Sequence, residues 1–247
     1  MKSSEYIKII KSAKNALEEY ENWGEDEIYM KKISSASSLD NSFAAGSLPV
    51  SQDAELESLK KQTAACRKCS LGAHRLNCVF GEGSSNADIM FVGEGPGFDE
   101  DHKGRPFIGR AGQLLTKIIE AMGYSRESLY IANIVKCHPM KDSSDPEKRA
   151  NDRPPSPEEM DSCRSYLDRQ IEIIRPKIII TLGASSTKGL LKNEESISVI
   201  RGSIRQYKDV KLMPTYHPAA LLRNPNLKKY VWDDMKKVMS FLKTGTI

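Results

Sequence analysis

No stretch of this sequence is apolar for long enough to span a bilayer. The opening residues, MKSSEYIKIIKSAKNALEEYENW, contain no apolar core of a secretory signal. A cytoplasmic protein with no membrane partner is the expectation. Arginine is missing from residues 1–60, which hold 7 lysines against 11 acidic residues, whereas the remainder holds 30 basic and 22 acidic residues. The net charge of +4 therefore hides a basic body behind an acidic extension. That asymmetry suits a polyanionic partner without requiring one. A paired-cysteine framework is also lacking. The 5 cysteines are odd in number and without secretory context, so ligation of a metal or cluster comes before disulfides. Nucleotide loops are absent too. In GEGPGF, Phe98 takes the place of the last glycine of a GxGxxG fingerprint, Pro96 offers no N–H, and no GK[ST] occurs.

What is present is an alternating pattern. At 39% hydrophobic residues, the chain can bury a sizeable core. Residues 4–22 have helical periodicity, and the Ser-rich stretch 34–53 reads as a flexible linker. This divides the chain into an extension, 1–53, and a main domain, 54–247, which opens with a short helix from about Ala54. ADIMFVG (87–93), LYIANIVKC (129–137) and KIIITLG (177–183) are strands. GQLLTKIIEAMG (112–123) is an amphipathic helix, and Ser156-Pro157-Glu158-Glu159 starts another with a capping box. A short helix over 184–191, strands near 204–206 and 211–215, and a last helix over 229–242 complete the series. Such alternation predicts an α/β fold with a parallel sheet covered on both faces. Ligands then bind at the carboxyl ends of the strands. There Gly93–Gly97 leaves the first strand, with glycines that permit close backbone approach and Glu94 held at the crevice.

Four constellations carry chemistry. Cys66-Arg-Lys-Cys69, Cys137 and Cys163 have a spacing that fits four thiolates around zinc or an iron–sulfur cluster, or a chance CxxC beside two structural cysteines. Cys78 belongs to no pair and reads as a core residue. His217 follows a strand, is fixed by Pro218 and precedes Ala-Ala-Leu221-Leu222-Arg223, where leucines beside a base suggest a wedge for a base stack. Taken alone, His217 reads as a turn-capping histidine. Asn133 lies inside an apolar strand, either as a satisfied structural amide or aimed at a base edge. The acids of the first loop are Glu94, Asp99, Glu100 and Asp101; Asp99 and Asp101 read as solvated surface charges.

Taken in order, GEGPG, GRPFIGRAGQLL, YIANIVKC, the helix carrying Cys163, TLGA and YHPAALLRN resemble family 4 uracil-DNA glycosylases, the iron–sulfur members of the uracil-DNA glycosylase superfamily. The resemblance covers roughly residues 66–242. It implies a three-layer α/β/α sandwich around a central parallel four-stranded sheet. It also implies a [4Fe–4S] cluster on Cys66, Cys69, Cys137 and Cys163 in a structural role. By the same resemblance, Phe107 stacks on a flipped uracil, Asn133 reads its edge, and His217 sits near uracil O2. Gly95 stands where other branches carry an aspartate, which leaves Glu94 first and Glu100 second to orient water. Residues 219–223 enter the duplex, with Leu221 and Leu222 as the apolar wedge. Arg105, Arg110, Arg201 and Arg223 are candidate phosphate contacts. The implied activity is hydrolysis of uracil from single- or double-stranded DNA by base flipping, leaving an abasic site. The motifs place no lysine for a Schiff base, so no strand nicking is expected. Gly97, fifth in the first motif, carries no side chain able to block a thymine methyl. The protein is expected to be a monomer.

The sequence departs from the family in two places. Between Cys137 and Cys163 lie 25 residues, longer than the family's usual spacing. The added stretch from Lys141, KDSSDPEKRANDR, is charged, expected to be flexible, and free of the histidine with which a related branch traps uracil. The acidic extension is either a solvated tail, which we favour, or a helix for a protein partner. The rivals are a glycosylase for another deaminated base, a non-catalytic cluster protein that binds nucleic acid, and an electron-transfer protein.

Overall fold

The computed structural model describes residues 51–192 and 194–245. The helix and linker expected within residues 1–50 lie outside them. Ser51 caps the first described helix, α1 (Gln52–Ala64), which starts two residues before the expected point. A short α2 (Leu71–His74) leads to β1 (Glu82–Gly83) and β2 (Ile89–Gly93). The acidic stretch after β2, read from the sequence as a loop, winds into α3 (Phe98–Lys103), and α4 (Arg110–Ala121) follows. Then come β3 (Tyr130–Asn133), α5 (Pro157–Ile174), β4 (Ile178–Leu182), α6 (Ala184–Leu191) and α7 (Ile197–Ile200). The chain closes with β5 (Arg205–Tyr207), β6 (Val210–Thr215), α8 (Pro218–Arg223) and α9 (Lys228–Thr244). The expected capping box at α5 is present: Ser156 Oγ accepts from Glu159 N at 3.3 Å, and the Glu159 carboxylate accepts from Ser156 N at 2.8 Å.

The sheet order is β1-β3-β2-β4-β6-β5. Its four central strands, β3-β2-β4-β6, are parallel, as expected, and an antiparallel strand is added at each edge. Alternation within β2 splits the core. Met90 and Val92 pack on one face with Leu167, Ile171 and Ile174 of α5 and with α1. Ile89 and Phe91 pack on the other with Leu115 and Ile119 of α4 and Met235 and Val238 of α9. This is the three-layer arrangement, and it explains why the central strands read as unbroken apolar runs. Each such fully buried side chain stabilises the fold by about 1.5–3 kcal/mol. Because the central strands are parallel, Gly93, Asn133, Leu182 and Thr215 all end at one edge of the sheet.

Candidate active site

At that edge lies a cleft of about 510 Å³ whose walls include Glu94, Gly95, Phe107, Asn133 and His217. Five residues expected to act together, from separate parts of the sequence, thus meet in one place.

Asn133 is the last residue of β3, and its Oδ1 is buried without a hydrogen-bond partner. A buried carbonyl oxygen left unpaired costs roughly 1–3 kcal/mol, so a donor, from water or a ligand, belongs beside it. Its neighbours leave no slack. A Cβ on Gly93 would lie 2.4 Å from Asn133 Oδ1 and 2.4 Å from Phe107 Cζ. The end of β2 is therefore glycine because the side chains of Asn133 and Phe107 close on it.

Phe107 is buried, and its ring lies 5.8 Å from that of His217. Its φ of 52° is the left-handed conformation that a bulky residue adopts only at a cost. Arg126 holds it there. Arg126 Nη1 donates to Phe107 O at 3.0 Å and Nη2 to Pro106 O at 2.6 Å, while Nε donates to Glu82 at 2.9 Å. Gly112 completes the clamp, since a Cβ there would lie 1.9 Å from the Phe107 carbonyl. Nothing in the sequence near Arg126 advertises this role; it acts through two backbone carbonyls 19 and 20 residues earlier.

His217 caps α8. Its Nδ1 accepts from Ala219 N at 3.1 Å, which fixes the neutral ring with the proton on Nε2. Burial, assisted by the charge of Arg223, lowers its pKa to about 4. The ring is a neutral donor at physiological pH. Burial raises the Glu94 pKa above the usual carboxylate range, partly opposed by a hydrogen bond from Ser185 at the start of α6. No sequence motif singles out Ser185.

Several expected roles are corrected. Both oxygens of Glu100, at the cleft wall, are engaged by backbone: Oε2 accepts from Gly97 N at 3.2 Å, and Oε1 accepts from Ile108 N at 2.9 Å and Gly109 N at 3.0 Å. It braces the two loops of the cleft. Asp101 is not a surface charge but fully buried, accepting from Leu76 N and Asn77 N at 3.1 Å. Leu221 is not a wedge; at 1% exposure it packs in the core that includes α4, leaving Leu222, at 42%, as the exposed leucine of that pair. Arg201 is spent on Asp234 and donates to Tyr230 O at 2.7 Å, pinning α9 rather than awaiting a phosphate. Arg105 pairs with Glu82 at 2.8 Å. Arg110, at the first turn of α4, and Arg223 are exposed and lack a hydrogen bond or ion pair among the described residues.

The stretch after Cys137 also differs from the expected flexible excursion. Asn151 Nδ2 donates to Asp142 O at 2.7 Å, Lys141 N donates to Asn151 O at 2.8 Å, and a bridge joins Met140 to Asp152. The loop closes on itself, and Arg149, Asp152 and Arg153 join the cleft wall. Buried His138 ties this loop inward, 2.6 Å from Asp152 and 3.6 Å from Asp101.

Behind the cleft, Cys66, Cys69, Cys137 and Cys163 line one small cavity with Arg75 and Lys136. Arg75 Nη1 donates to Cys137 Sγ at 2.9 Å. Burial pushes the Cys137 thiol up to about 11 against the pull of Arg75, so any metal must displace that proton. No three His, Cys, Asp or Glu side chains among the described residues converge on a single ion. Four cysteines beside two cations, which would offset thiolate charge, are a donor set suited to an iron–sulfur cluster. Cys78 borders Cys137 and Arg75, partly buried. Lys136 is wholly buried, and its Nζ donates to Asn133 O at 2.7 Å and to Gln170 Oε1 at 2.6 Å.

Known proteins resemble this chain over most of its main domain. The sequence pattern of the uracil DNA glycosylase superfamily matches residues 80–236. The chain is 47% identical to the type-4 uracil-DNA glycosylase of Sulfurisphaera tokodaii over 192 residues, 74% of this chain and 83% of the relative. It is 42% identical to the type-4 uracil-DNA glycosylase of Thermotoga maritima over 192 residues, 76% of this chain and 95% of the relative. The type-5 uracil-DNA glycosylase of Pyrobaculum aerophilum is more distant, at 26% over 174 residues, 64% of this chain and 71% of the relative.

Proposed function

The chain belongs to the type-4 branch of the uracil-DNA glycosylase superfamily, and on that premise we propose that its cleft receives a uracil flipped out of DNA and hydrolyses the bond to its sugar. It is a DNA repair enzyme, a hydrolase of N-glycosyl bonds. The observation that carries the flipped-base reading is the buried, unpartnered Oδ1 of Asn133, set beside Phe107 and the neutral His217.

Uracil presents one N–H between two carbonyls. Asn133 Oδ1 accepts from N3–H while its amide donates to O4, and Phe107 stacks on the ring. As the N-glycosidic bond lengthens, the electron pair passes to the base and the sugar becomes cationic. His217 Nε2–H donates to O2, where the charge gathers, at no cost in proton transfer. Glu94, ionised, orients water toward C1′ and balances the sugar cation. Water adds its hydroxyl to C1′, its proton goes to solvent or the departing base, and an abasic site remains. No residue forms a covalent link to the sugar, so the strand stays whole until alkali cleaves it.

Cys66, Cys69, Cys137 and Cys163 would hold a [4Fe–4S] cluster. Bound there, it supplies iron–thiolate crosslinks between the segment after α1, the end of the β3 run and α5. The test is iron and acid-labile sulfide in anaerobically purified protein: four of each per chain are expected, with loss in Cys163→Ser. Protein that folds and turns over without iron overturns it.

The decisive experiment uses a labelled oligonucleotide with one uracil. Cleavage only after alkali is expected from the wild type. Glu94→Gln should lower kcat by about 10²–10⁴-fold. Because burial raises the Glu94 pKa, activity falls as the pH drops toward it, from a point above the usual carboxylate range. An intact strand from wild-type protein after alkali overturns the reading.

A further inference from the structure

Next to the cleft lies a second, shallower cavity of about 460 Å³, which shares Phe98, Asp99, Gly109, Arg110 and Arg149 with it. Lys103, Gln113 and His102 also line it. Its floor is a stack of three planar groups. The Phe98 ring lies 4.0 Å from that of His102, and the Arg149 guanidinium lies 4.6 Å from the Phe98 centroid. Arg149 is 78% exposed, so its outer face is open. The loop that presents it is pinned from inside by Asn151 and by the contact of Asp152 with His138. Three permanent cations, Lys103, Arg110 and Arg149, face this space against one carboxylate, Asp99, which lies 3.7 Å from Arg149. The mechanism above uses none of them.

A planar cation on an aromatic ring, open on its other face, suits a nucleobase, and free cations beside it suit a phosphodiester. We infer that this cavity is a subsite for the nucleotide next to the flipped uridine in the same strand, its base on Arg149 and its phosphate between Arg110 and Lys103. The inference rests on the proposed uracil reading, because it takes the uridine in the cleft as the neighbour. On this view residues 141–153 serve to carry the stacking platform. The occupied nucleotide is unpaired, so the subsite favours uracil in single-stranded segments over uracil in a closed duplex.

The test is steady-state kinetics on single-stranded oligonucleotides with one uracil, in which the base on its 5′ or 3′ side is replaced by a tetrahydrofuran spacer that keeps the phosphate. With wild-type protein, one of the two spacers should raise KM about tenfold, the scale of one base–aromatic stack. Arg149→Ala should raise KM by a similar factor on the intact oligonucleotide and show no further rise with that spacer. Arg110→Ala, which removes a phosphate contact rather than the stacking platform, should instead lower the slope of log affinity against log salt by about one. Lys148→Ala, on the same loop but paired with Asp142 outside the cavity, serves as the control that leaves KM in place. Uracil release by Arg149→Ala with wild-type KM and spacer response overturns the subsite alone. So does a wild type indifferent to both spacers. Absence of release from every substrate by the wild type overturns the uracil reading itself.

Discussion

Replacing His217 by alanine lowers kcat on a uracil oligonucleotide by about 10²–10³-fold, the usual cost of one donor to a developing anion, with a much smaller change in KM. The expectation follows from the tautomer. Nδ1 accepts from Ala219 N, so Nε2 must carry the proton and only that nitrogen can face the cleft as a donor. A charged imidazolium would donate more strongly, but burial lowers the pKa to about 4 and excludes it at working pH. Two measurements check this. The kcat profile of the wild type has no histidine limb between pH 5 and 8. Stability carries the complementary signature. An unfolded histidine takes up its proton near pH 6.5, whereas folded His217 refuses it until about 4. Between those values the unfolded chain binds more protons, so this group's share of stability is lost as pH falls through the window. His217→Gln removes that share: the ratio of its urea midpoint at pH 5 to that at pH 7 should exceed the wild-type ratio. An equal ratio, or a kcat loss below tenfold in the alanine variant, would count against the neutral-donor role.

Asn133→Ala lowers kcat/KM by about 10²-fold, the upper range for a bidentate contact to a base edge, and it does so without loss of stability. The second half of the expectation is the unusual one. Removing a buried amide normally strands its partners, but Oδ1 has none to strand. Gly93→Ala tests the same pocket from the neighbouring strand. Its Cβ would press on Oδ1 of Asn133 and on the Phe107 ring, both at 2.4 Å, so the variant should lose uracil release altogether. Overpacking of this kind costs about 1–3 kcal/mol, so its denaturant midpoint falls as well. Comparing the two variants by chemical denaturation and by uracil release separates recognition from folding. A destabilised Asn133→Ala with normal turnover would show the amide to be structural.

The contrast between these two positions indicates what sequence can carry. The central strands and α4 are legible because burial on both faces, or on one stripe, forces an apolar pattern. The box at Ser156 is legible because its chemistry is local. Asn133 stands out as a polar residue in an apolar strand. By contrast, β1 is two residues long and owes its existence to its pairing with β3, so no local pattern announces it. Leu221 and Leu222 are adjacent and chemically identical, and only the phase of α8, six residues long, buries one and exposes the other. Asp101 and Arg201 look like surface charges because their partners, Leu76 and Asn77 for one and Asp234 for the other, lie far away in sequence. Glu100 looks chemical for the same reason. A carboxylate at a strand's carboxyl end looks alike whether it faces water or three backbone N–H groups.

The buried ammonium of Lys136 joins the two halves of the molecule. It touches the backbone of Asn133, at the wall of the cleft, while its neighbour Cys137 belongs to the sulfur-lined cavity. Five consecutive positions, 133–137, therefore answer to two masters. A change in the sulfur-lined cavity that moves Lys136 withdraws a donor from the Asn133 carbonyl, and a change in the backbone at Asn133 takes an acceptor from a cation that, among the described residues, only Gln170 and that carbonyl satisfy. Substitutions in the wall loops leave this bond alone, whereas substitutions along 133–137 act on cleft and sulfur cavity together.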